Sequence, residues 1–297
     1  MAIGKRIGLF LAVNILIVLS ISVVLNLLGV QPYLTSKGID YQSLVVFCLI
    51  WGFGGAFISL GLSRVIAKWS MKVKVLPLAA TAPDERWLLD TVARLAIQAG
   101  LSKAPEVGVY ESEDMNAFAT GPTKSRSLVA VSSGLMKRMS RQEVEGVLAH
   151  EIAHISNGDM VTMTLVQGVV NAFVMFIARI VAWSASQLVD EEKRGMVNFV
   201  AVIALEIAFG VLGMLVVSAF SRRREFRADV GGARLAGRPK MIAALKALQR
   251  VNQPAADSPQ SIAALQISTS KKSGFMAMIA THPPLEDRIK RLEAVVG

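Results

Sequence analysis

Four long apolar runs constrain the fold of this chain more than any other feature of its sequence. A run of about 20 apolar residues, at a rise of about 1.5 Å per residue, crosses about 30 Å of hydrocarbon as a helix. Every backbone polar group must be hydrogen-bonded internally there, so each run predicts a membrane-spanning helix. The apolar fraction of 53% is also above that of ordinary soluble domains. The predicted spans cover residues 7–30, 41–63, 161–188 and 196–220.

The alternative to the first span is a cleaved signal peptide. Its apolar region is expected to cover only about 7–15 residues and to end at a cleavage site of small residues. The run here is longer and leads to Gln31-Pro32. We therefore expect an uncleaved first span.

The basic residues predict the orientation of the chain. They concentrate between the second and third runs and after the fourth, whereas the other two connections hold only Lys37, Lys193 and Arg194. Because cytoplasmic loops carry an excess of Lys and Arg, both termini and the polar segments are expected in the cytoplasm. A net charge of +10 could also indicate nucleic acid, but no aromatic-basic binding motif occurs. The expected partner is the lipid bilayer and not nucleic acid.

Two charges interrupt the later runs, Arg179 in the third and Glu206 in the fourth. Counted from the connection between the runs, they lie at similar depth on adjacent antiparallel helices, and an intramembrane charge normally needs a partner. We predict that the two side chains approach each other. The alternative is that Arg179 reaches the outer surface while Glu206 is neutral or lies in a wet cavity.

The strongest chemical signal is the pattern His150-Glu151-x-x-His154. A capping box at Ser140 and Glu143 begins a helix here, and Asn157-Gly158 ends it. Residues four apart share a helix face, so both imidazoles can reach one metal ion. Zinc with three protein ligands keeps a position for water, lowers its pKa to about 7, and lets a carboxylate such as Glu151 take the proton. The alternative is a pair of ordinary helix histidines.

A hydrolytic zinc site needs a third ligand from elsewhere in the chain. The extended pattern with a third histidine would place it at position 160, which is Met160. Glu225 is the candidate, because it should lie on a helix with Asp229 on the same face. Asp229 would then hydrogen-bond a ligand histidine. If the sequence lacked the two histidines, the pattern would instead predict that Glu225 and Asp229 are surface carboxylates neutralised by the neighbouring arginines.

Short strands are predicted before the zinc helix at 107–110 and 128–131, with an extended strand over 115–122 that Gly121-Pro122 stops. An exposed edge strand can pair with an extended peptide, which suits an endopeptidase. A buried structural strand is the alternative. Near the end, His282 is either a loop residue ordered by two prolines or an electrophile for the oxyanion at a scissile carbonyl. Residues 252–274 are predicted to form a loop.

The segments NAFATGP, HEIAH, EFRAD and THPPLEDRI, with two spans before them and a membrane hairpin between them, resemble the HtpX family of bacterial membrane proteases over essentially the whole chain. The resemblance to integral-membrane CAAX prenyl proteases is more distant. The resemblance to the HtpX family implies that His150, His154 and Glu225 hold zinc and that Glu151 is the catalytic base. It also implies that Asp229 supports the metal site and that His282 lies near the oxyanion. It also implies a substrate strand at Asn116, Ala117, Phe118 and Ala119.

We therefore expect a mainly α membrane protein, with four transmembrane helices and a cytoplasmic α+β zincin-like metalloprotease domain. The resemblance implies the function that we expect, which is zinc-dependent cleavage of damaged or misfolded membrane proteins at the cytoplasmic face of the bacterial inner membrane. The predicted parts are a membrane hairpin at 1–66, a catalytic segment at 67–160, a second hairpin at 161–220 and a second catalytic segment at 221–297.

Two other functions fit parts of this pattern. One is a polytopic transporter or chaperone with structural zinc, although structural sites are normally closed by four protein ligands. The other is a lipid-tethered peptidase for soluble substrates. The sequence sets neither the oligomeric state nor the preferred cleavage site.

Overall fold

The computed structural model describes residues 3–30, 32–35, 38–252 and 280–294. The predicted loop at 252–274 therefore lies outside the described residues, apart from its first residue. Contacts divide the chain into two compact units. The first unit comprises Met1–Gly61 and Thr162–Val217, and the second comprises Leu62–Val161 and Ser218–Gly297.

Long helices dominate the first unit, and three of them continue beyond its limits. Within the part of the chain that the structure describes, three helices are long and apolar enough to cross a membrane: α2 (Tyr41–Ser70), α6 (Asp159–Ser186) and α7 (Glu191–Ala236). The first helix, α1 (Ile3–Leu27), contains a shorter apolar stretch at Ile15–Leu27 and remains a predicted span. A two-stranded antiparallel pair follows it, formed by β1 (Leu34–Thr35) and β2 (Gly38–Ile39).

The predicted pairing of charges inside the apolar runs is confirmed. Arg179 Nη1 lies 2.5 Å from Glu206 Oε1, and the Arg179 guanidinium lies 5.2 Å from the centroid of the Phe47 ring. The Glu206 carboxylate and the Phe47 ring together stabilise the positive charge of Arg179, which would have no partner in hydrocarbon.

One boundary in this unit differs from the prediction. Glu191 to Arg194 were expected in the turn between the third and fourth runs, but they form the first turn of α7. Acidic side chains at Glu191 and Glu192 favour this start, because they face the positive end of the helix dipole.

The second unit contains a four-stranded sheet in the order β3-β4-β6-β5. β4 and β6 pair in parallel, while the outer strands β3 and β5 are antiparallel to their neighbours. This places β5 at an edge of the sheet. The strands are β3 (Lys74–Val75), β4 (Glu106–Tyr110), β5 (Ala117–Thr123) and β6 (Arg126–Ser132).

The predicted end of the extended strand at Gly121-Pro122 is wrong, because β5 continues to Thr123 with a bulge between Thr120 and Thr123. An edge strand tolerates proline, since one of its sides needs no backbone donor. Gly121 has a φ of 145°, and a Cβ there would lie 2.2 Å from the Arg126 carbonyl oxygen. Glycine therefore allows the two strands to remain paired.

Among the described residues, five helices besides the long ones belong to the second unit. The first of them, α3, begins at Pro83, and Gly100 follows its end with a φ of 69°. The helices are α3 (Pro83–Gln98), α4 (Ser133–Arg138), α5 (Arg141–Asn157), α8 (Arg238–Asn252) and α9 (Leu285–Ala294).

One hydrophobic core joins α3, α5 and the sheet, and a smaller cluster joins α8 to α9. Apolar residues of α5 that recur at helical spacing face the larger core and are almost fully buried. α5 is thus held by packing along its whole length, which gives the histidines it carries a fixed position. The core residues of α5 are Val144, Val147, Leu148, Ile152 and Ile155.

We predict that Arg179 and Glu206 stabilise the fold as a pair. Replacing either residue with Leu leaves one charge without its partner, whereas the double change removes both charges. A double-mutant cycle on unfolding in detergent should therefore give a coupling energy of about 0.5–3 kcal/mol. The exposed pair Asp190 and Lys193 serves as the control and should give less than about 0.5 kcal/mol. Additive effects at Arg179 and Glu206 would contradict this prediction.

Candidate metal centre

The helix α5 presents His150 and His154 on one face. The predicted capping box is confirmed, with Ser140 and Glu143 bonded reciprocally, and Gly158 ends the helix with a φ of 71°. Both histidines are buried. Their Nε2 atoms lie 3.1 Å apart and the two rings are nearly perpendicular. Two imidazole nitrogens thus face the same small volume.

The helix α7 brings a carboxylate to this volume because small residues let it approach α5 closely. A Cβ at Gly231 would lie 2.8 Å from Ala153 Cβ, and one at Gly232 would lie 3.1 Å from the backbone nitrogen of His150. A larger residue at either position would require the helices to separate. The glycines therefore fix the distance at which Glu225, two turns earlier on α7, meets the histidines.

Glu225 completes a set of three possible metal ligands. Its Oε1 lies 3.3 Å from His154 Nε2, and its Oε2 lies 3.4 Å from His150 Nε2. Ligand atoms from the three residues all lie within 4.8 Å of one another. The Glu225 side chain is only 1% exposed, and its Oε2 has no hydrogen bond of good geometry among the described residues. Two nitrogens and a buried carboxylate fit a divalent metal ion.

Two further carboxylates hold the other nitrogen of each histidine. Asp229 Oδ1 lies 3.0 Å from His150 Nδ1, where the sequence predicts such a contact. Asp159 Oδ2 lies 2.7 Å from His154 Nδ1, a contact that the sequence reasoning missed. An Nδ1–H donated to a carboxylate fixes the tautomer and leaves the Nε2 lone pair for metal. Searching for an acid near each histidine would have found Asp159, since it follows His154 by only five residues.

Each supporting carboxylate has an arginine partner of its own. Arg288 on α9 binds Asp229 in a bidentate pair, with Nη2 2.6 Å from Oδ1 and Nε 2.8 Å from Oδ2. Arg227 binds Asp159. These pairs offset the cost of burying carboxylates. Sequence reasoning missed both arginines, because Arg288 and Asp229 are 59 residues apart and no local pattern links them.

The buried carboxylates control the ionisation of the histidines. Burial by itself lowers the pKa of His154, but Asp159 and Glu225 raise it to about 9. Burial likewise opposes the charged form of His150, whose pKa is raised by Asp229 and Glu225. Burial would raise the pKa of Glu225, yet the close contacts with His150, His154 and His282 hold it well below its usual range. Glu225 is therefore an ionised carboxylate that attracts cations.

The remaining predicted site residues lie around this set. Glu151 is half-buried on α5, close enough for its charge to contribute to the raised pKa of His154. His282 is exposed, and its Nδ1 lies 3.0 Å from Glu225 Oε2. The four residues of the predicted substrate strand lie at the start of β5 and just before it. Ala117 and Ala119 face the larger core, and the Phe118 ring packs against Tyr110.

Comparison with known proteins identifies the family. The model of Peptidase family M48 matches residues 82–296. The chain belongs to peptidase family M48. It is 52% identical to a protease HtpX homolog of Bacillus licheniformis and 51% identical to one of Bacillus subtilis, in each case over 98% of this chain and 99% of the relative. A protease HtpX homolog of Thiobacillus denitrificans is 48% identical with the same coverage.

The fold of this M48 peptidase resembles that of a crystal structure of S. mikatae Ste24p, with a TM-score of 0.66 and 20% identity. The likeness covers 98% of this chain, which spans 64% of the Ste24p chain. At this identity the likeness supports the fold alone. Family membership and the three long apolar helices together make this chain a membrane-associated metalloendopeptidase.

We predict that bound metal changes how stability depends on pH. In the metal-free protein the pKa of His154 is raised from 6.5 to about 9. The contribution of protonated His154 to the free energy of unfolding is therefore fully present below about pH 6.5 and is lost as the pH rises through about 9. Metal binding requires neutral histidine, so the stabilisation by metal should increase over the same range.

Thermal unfolding of the detergent-solubilised protein, with Zn²⁺ or with a chelator, tests this prediction. The gain in Tm caused by zinc should increase from pH 6.5 to pH 9. A gain that is constant or decreases over this range would contradict the pKa shift of His154 as its cause.

We predict that Arg288→Gln weakens metal binding. The change leaves the buried Asp229 carboxylate without its bidentate partner, so Asp229 no longer holds His150 firmly. The affinity for Zn²⁺, measured by competition with a chelator, should fall about 10–100-fold. Lys290→Gln removes an exposed positive charge from the same helix and should leave the affinity unchanged. Unaltered affinity in a folded Arg288→Gln protein would exclude this role for Arg288.

Proposed function

We propose that this protein is a zinc-dependent integral-membrane endopeptidase that cleaves damaged or misfolded membrane proteins at the cytoplasmic face of the bacterial inner membrane. The observation that carries the proposal is the convergence of His150, His154 and Glu225 beside Glu151. Relatives named protease HtpX, similar over nearly the whole chain, support it. In this proposal the protein contributes to the quality control of membrane proteins.

The donor set favours zinc among divalent metals. Two imidazoles and one carboxylate suit zinc, and three protein ligands leave one position for the reaction. Within the described residues the candidate ligand set has three members, to which His282 does not belong. A structural site normally has four protein ligands, so this set supports catalysis rather than a transporter or chaperone with structural zinc.

The proposed reaction is hydrolysis of a peptide bond. Bound zinc would act as a Lewis acid toward the scissile carbonyl and the attacking water. Glu151 accepts the proton of that water and later delivers it to the leaving amine. Asp229 and Asp159 keep the two histidines in the tautomer that leaves Nε2 unprotonated. His282 donates a hydrogen bond to the oxyanion as it forms.

The substrate binds in an extended conformation along β5. This strand is at the edge of its sheet in the described part of the chain, so its outer side can form main-chain hydrogen bonds with a peptide. The residues that contact the substrate are Asn116, just before this strand, and Ala117, Phe118 and Ala119 at its start. Extended binding requires local unfolding of a folded substrate, which agrees with a preference for damaged proteins.

The order of segments along the chain favours substrates near the membrane. His154 precedes the third apolar run by seven residues, and Glu225 follows Phe220, the end of the fourth, by five. The excess of Lys and Arg in the same segments supports a cytoplasmic active site, both termini in the cytoplasm and four spans. The proposed catalytic segments are 67–160 and 221–297, with membrane hairpins at 1–66 and 161–220.

The decisive experiment uses Glu151→Gln. This variant keeps all three metal ligands but lacks the base, so it should bind Zn²⁺ as tightly as the wild type while cleavage falls at least about 100-fold. The substrate is a membrane-anchored protein with a destabilised cytoplasmic domain, and cleavage is followed on gels after reconstitution. Glu286→Gln, an exposed change on α9, is the control and should retain full activity.

Two outcomes would overturn parts of the proposal. Full cleavage by Glu151→Gln would exclude its role as the base. Two further substrates test the quality-control function: the same anchored protein with a stable domain, and the destabilised domain without its membrane anchor. If the wild type cleaved the stable anchored protein as fast as the destabilised one, or cleaved only the domain without an anchor, the proposed quality-control function would be wrong.

A further inference from the structure

A second site lies within the second unit, in a cavity of about 430 Å³ lined by residues of α7 and α9. Its wall is unusually rich in positive charge. Four guanidinium groups line it together with one carboxylate, that of Asp229. The four are Arg223, Arg227, Arg288 and Arg291.

Two of these arginines already have acidic partners. Arg288 binds Asp229 and also lies 3.7 Å from Glu225 Oε2, and Arg227 binds Asp159, which is itself buried. In the described part of the chain, neither Arg223 nor Arg291 has a carboxylate within ion-pair distance. Four cations set against these three carboxylates leave a net charge of +1 around the cavity, and the two arginines without an acidic partner carry the excess. This excess predicts an anionic ligand.

The arrangement suits phosphate better than a simple monovalent anion. Guanidinium groups form paired hydrogen bonds with phosphate oxygens, and two of them are available here. The Arg291 guanidinium lies 4.4 Å from the centroid of the Phe226 ring. Stacking of this kind orders the long side chain before a ligand arrives, which lowers the entropic cost of binding. Phe226, Val230 and Leu292 add apolar wall for the carbon atoms of an organic phosphate.

The position of the cavity in the sequence suggests where such a phosphate could come from. Arg223 and Arg227 follow Phe220, the last residue of an apolar run, by three and seven residues on the same helix. Basic residues directly after a membrane span attract anionic headgroups. We propose that this cavity binds the phosphate group of an organic phosphate, carried either by an anionic phospholipid or by a soluble phosphate ester.

The experiment measures binding to the full-length protein in detergent by native mass spectrometry. The probes are phosphatidylglycerol, diacylglycerol with the same acyl chains but no phosphate, and glycerol 1-phosphate. The test variant is Arg223→Gln/Arg291→Gln. The control Arg234→Gln/Lys290→Gln removes the same charge from the same two helices at exposed residues that do not line the cavity.

Wild type and control should bind phosphatidylglycerol with similar affinity and should bind diacylglycerol far more weakly. The test variant should bind phosphatidylglycerol at least about tenfold more weakly, since charge-assisted hydrogen bonds are lost. Displacement of the lipid by glycerol 1-phosphate, lost in the same variant, would identify a soluble ester as a sufficient ligand. Binding of the lipid alone would identify the headgroup at a membrane surface.

Equal binding by the wild type and the test variant would overturn the proposal, as would an equal loss in the control. If the Gln variant does not fold, Arg223→Lys/Arg291→Lys provides the test, because it keeps the charge but lacks the paired donors. It should bind at least about threefold more weakly, and binding equal to that of the wild type would exclude the site. None of these measurements depends on proteolysis.

Discussion

The structure around the metal centre depends on the burial of three carboxylates. The side chains are almost fully buried at Glu225, Asp229 and Asp159. A carboxyl group without partners in such surroundings would ionise only at a large free-energy cost. Each therefore requires cationic or hydrogen-bonding partners in fixed positions. This requirement ties α5, α7 and α9 together more specifically than apolar packing alone, which tolerates small shifts of one helix against another.

The same network explains why the site is suited to a metal ion. His150 and His154 each have one nitrogen facing an aspartate and the other facing Glu225. Without metal, the carboxylates raise the pKa of both histidines despite burial. Protons on the histidines then offset part of the buried negative charge. His150, His154 and Glu225 would hold a divalent cation in place of those protons, and the cation would supply the positive charge that the buried carboxylates require. Arg288 and Arg227 then balance the outer carboxylates, whether or not metal is bound.

Long-range contacts decide which helix faces which. Gly231 and Gly232 have no recognisable pattern in the sequence, yet they set the distance between α7 and α5 because larger side chains would meet Ala153 and His150. The same holds for the cavity beside the site, where Arg223 and Arg291 come from two helices and are 68 residues apart in the sequence. Their joint charge is visible only after the chain has folded.

The sequence by itself determined the local features: the capped helix carrying both histidines, the start of α3 at Pro83, and three long apolar helices. Each depends on residues within a few turns of one another, and their periodicity or spacing specifies the backbone. The Arg179–Glu206 pair was also within reach, because an intramembrane charge has few possible partners. Only the tertiary structure decided that Arg288 binds Asp229 and that β5 runs past Gly121-Pro122. Those features depend on which segments become neighbours, and packing across the whole unit selects neighbours among many chemically equivalent residues.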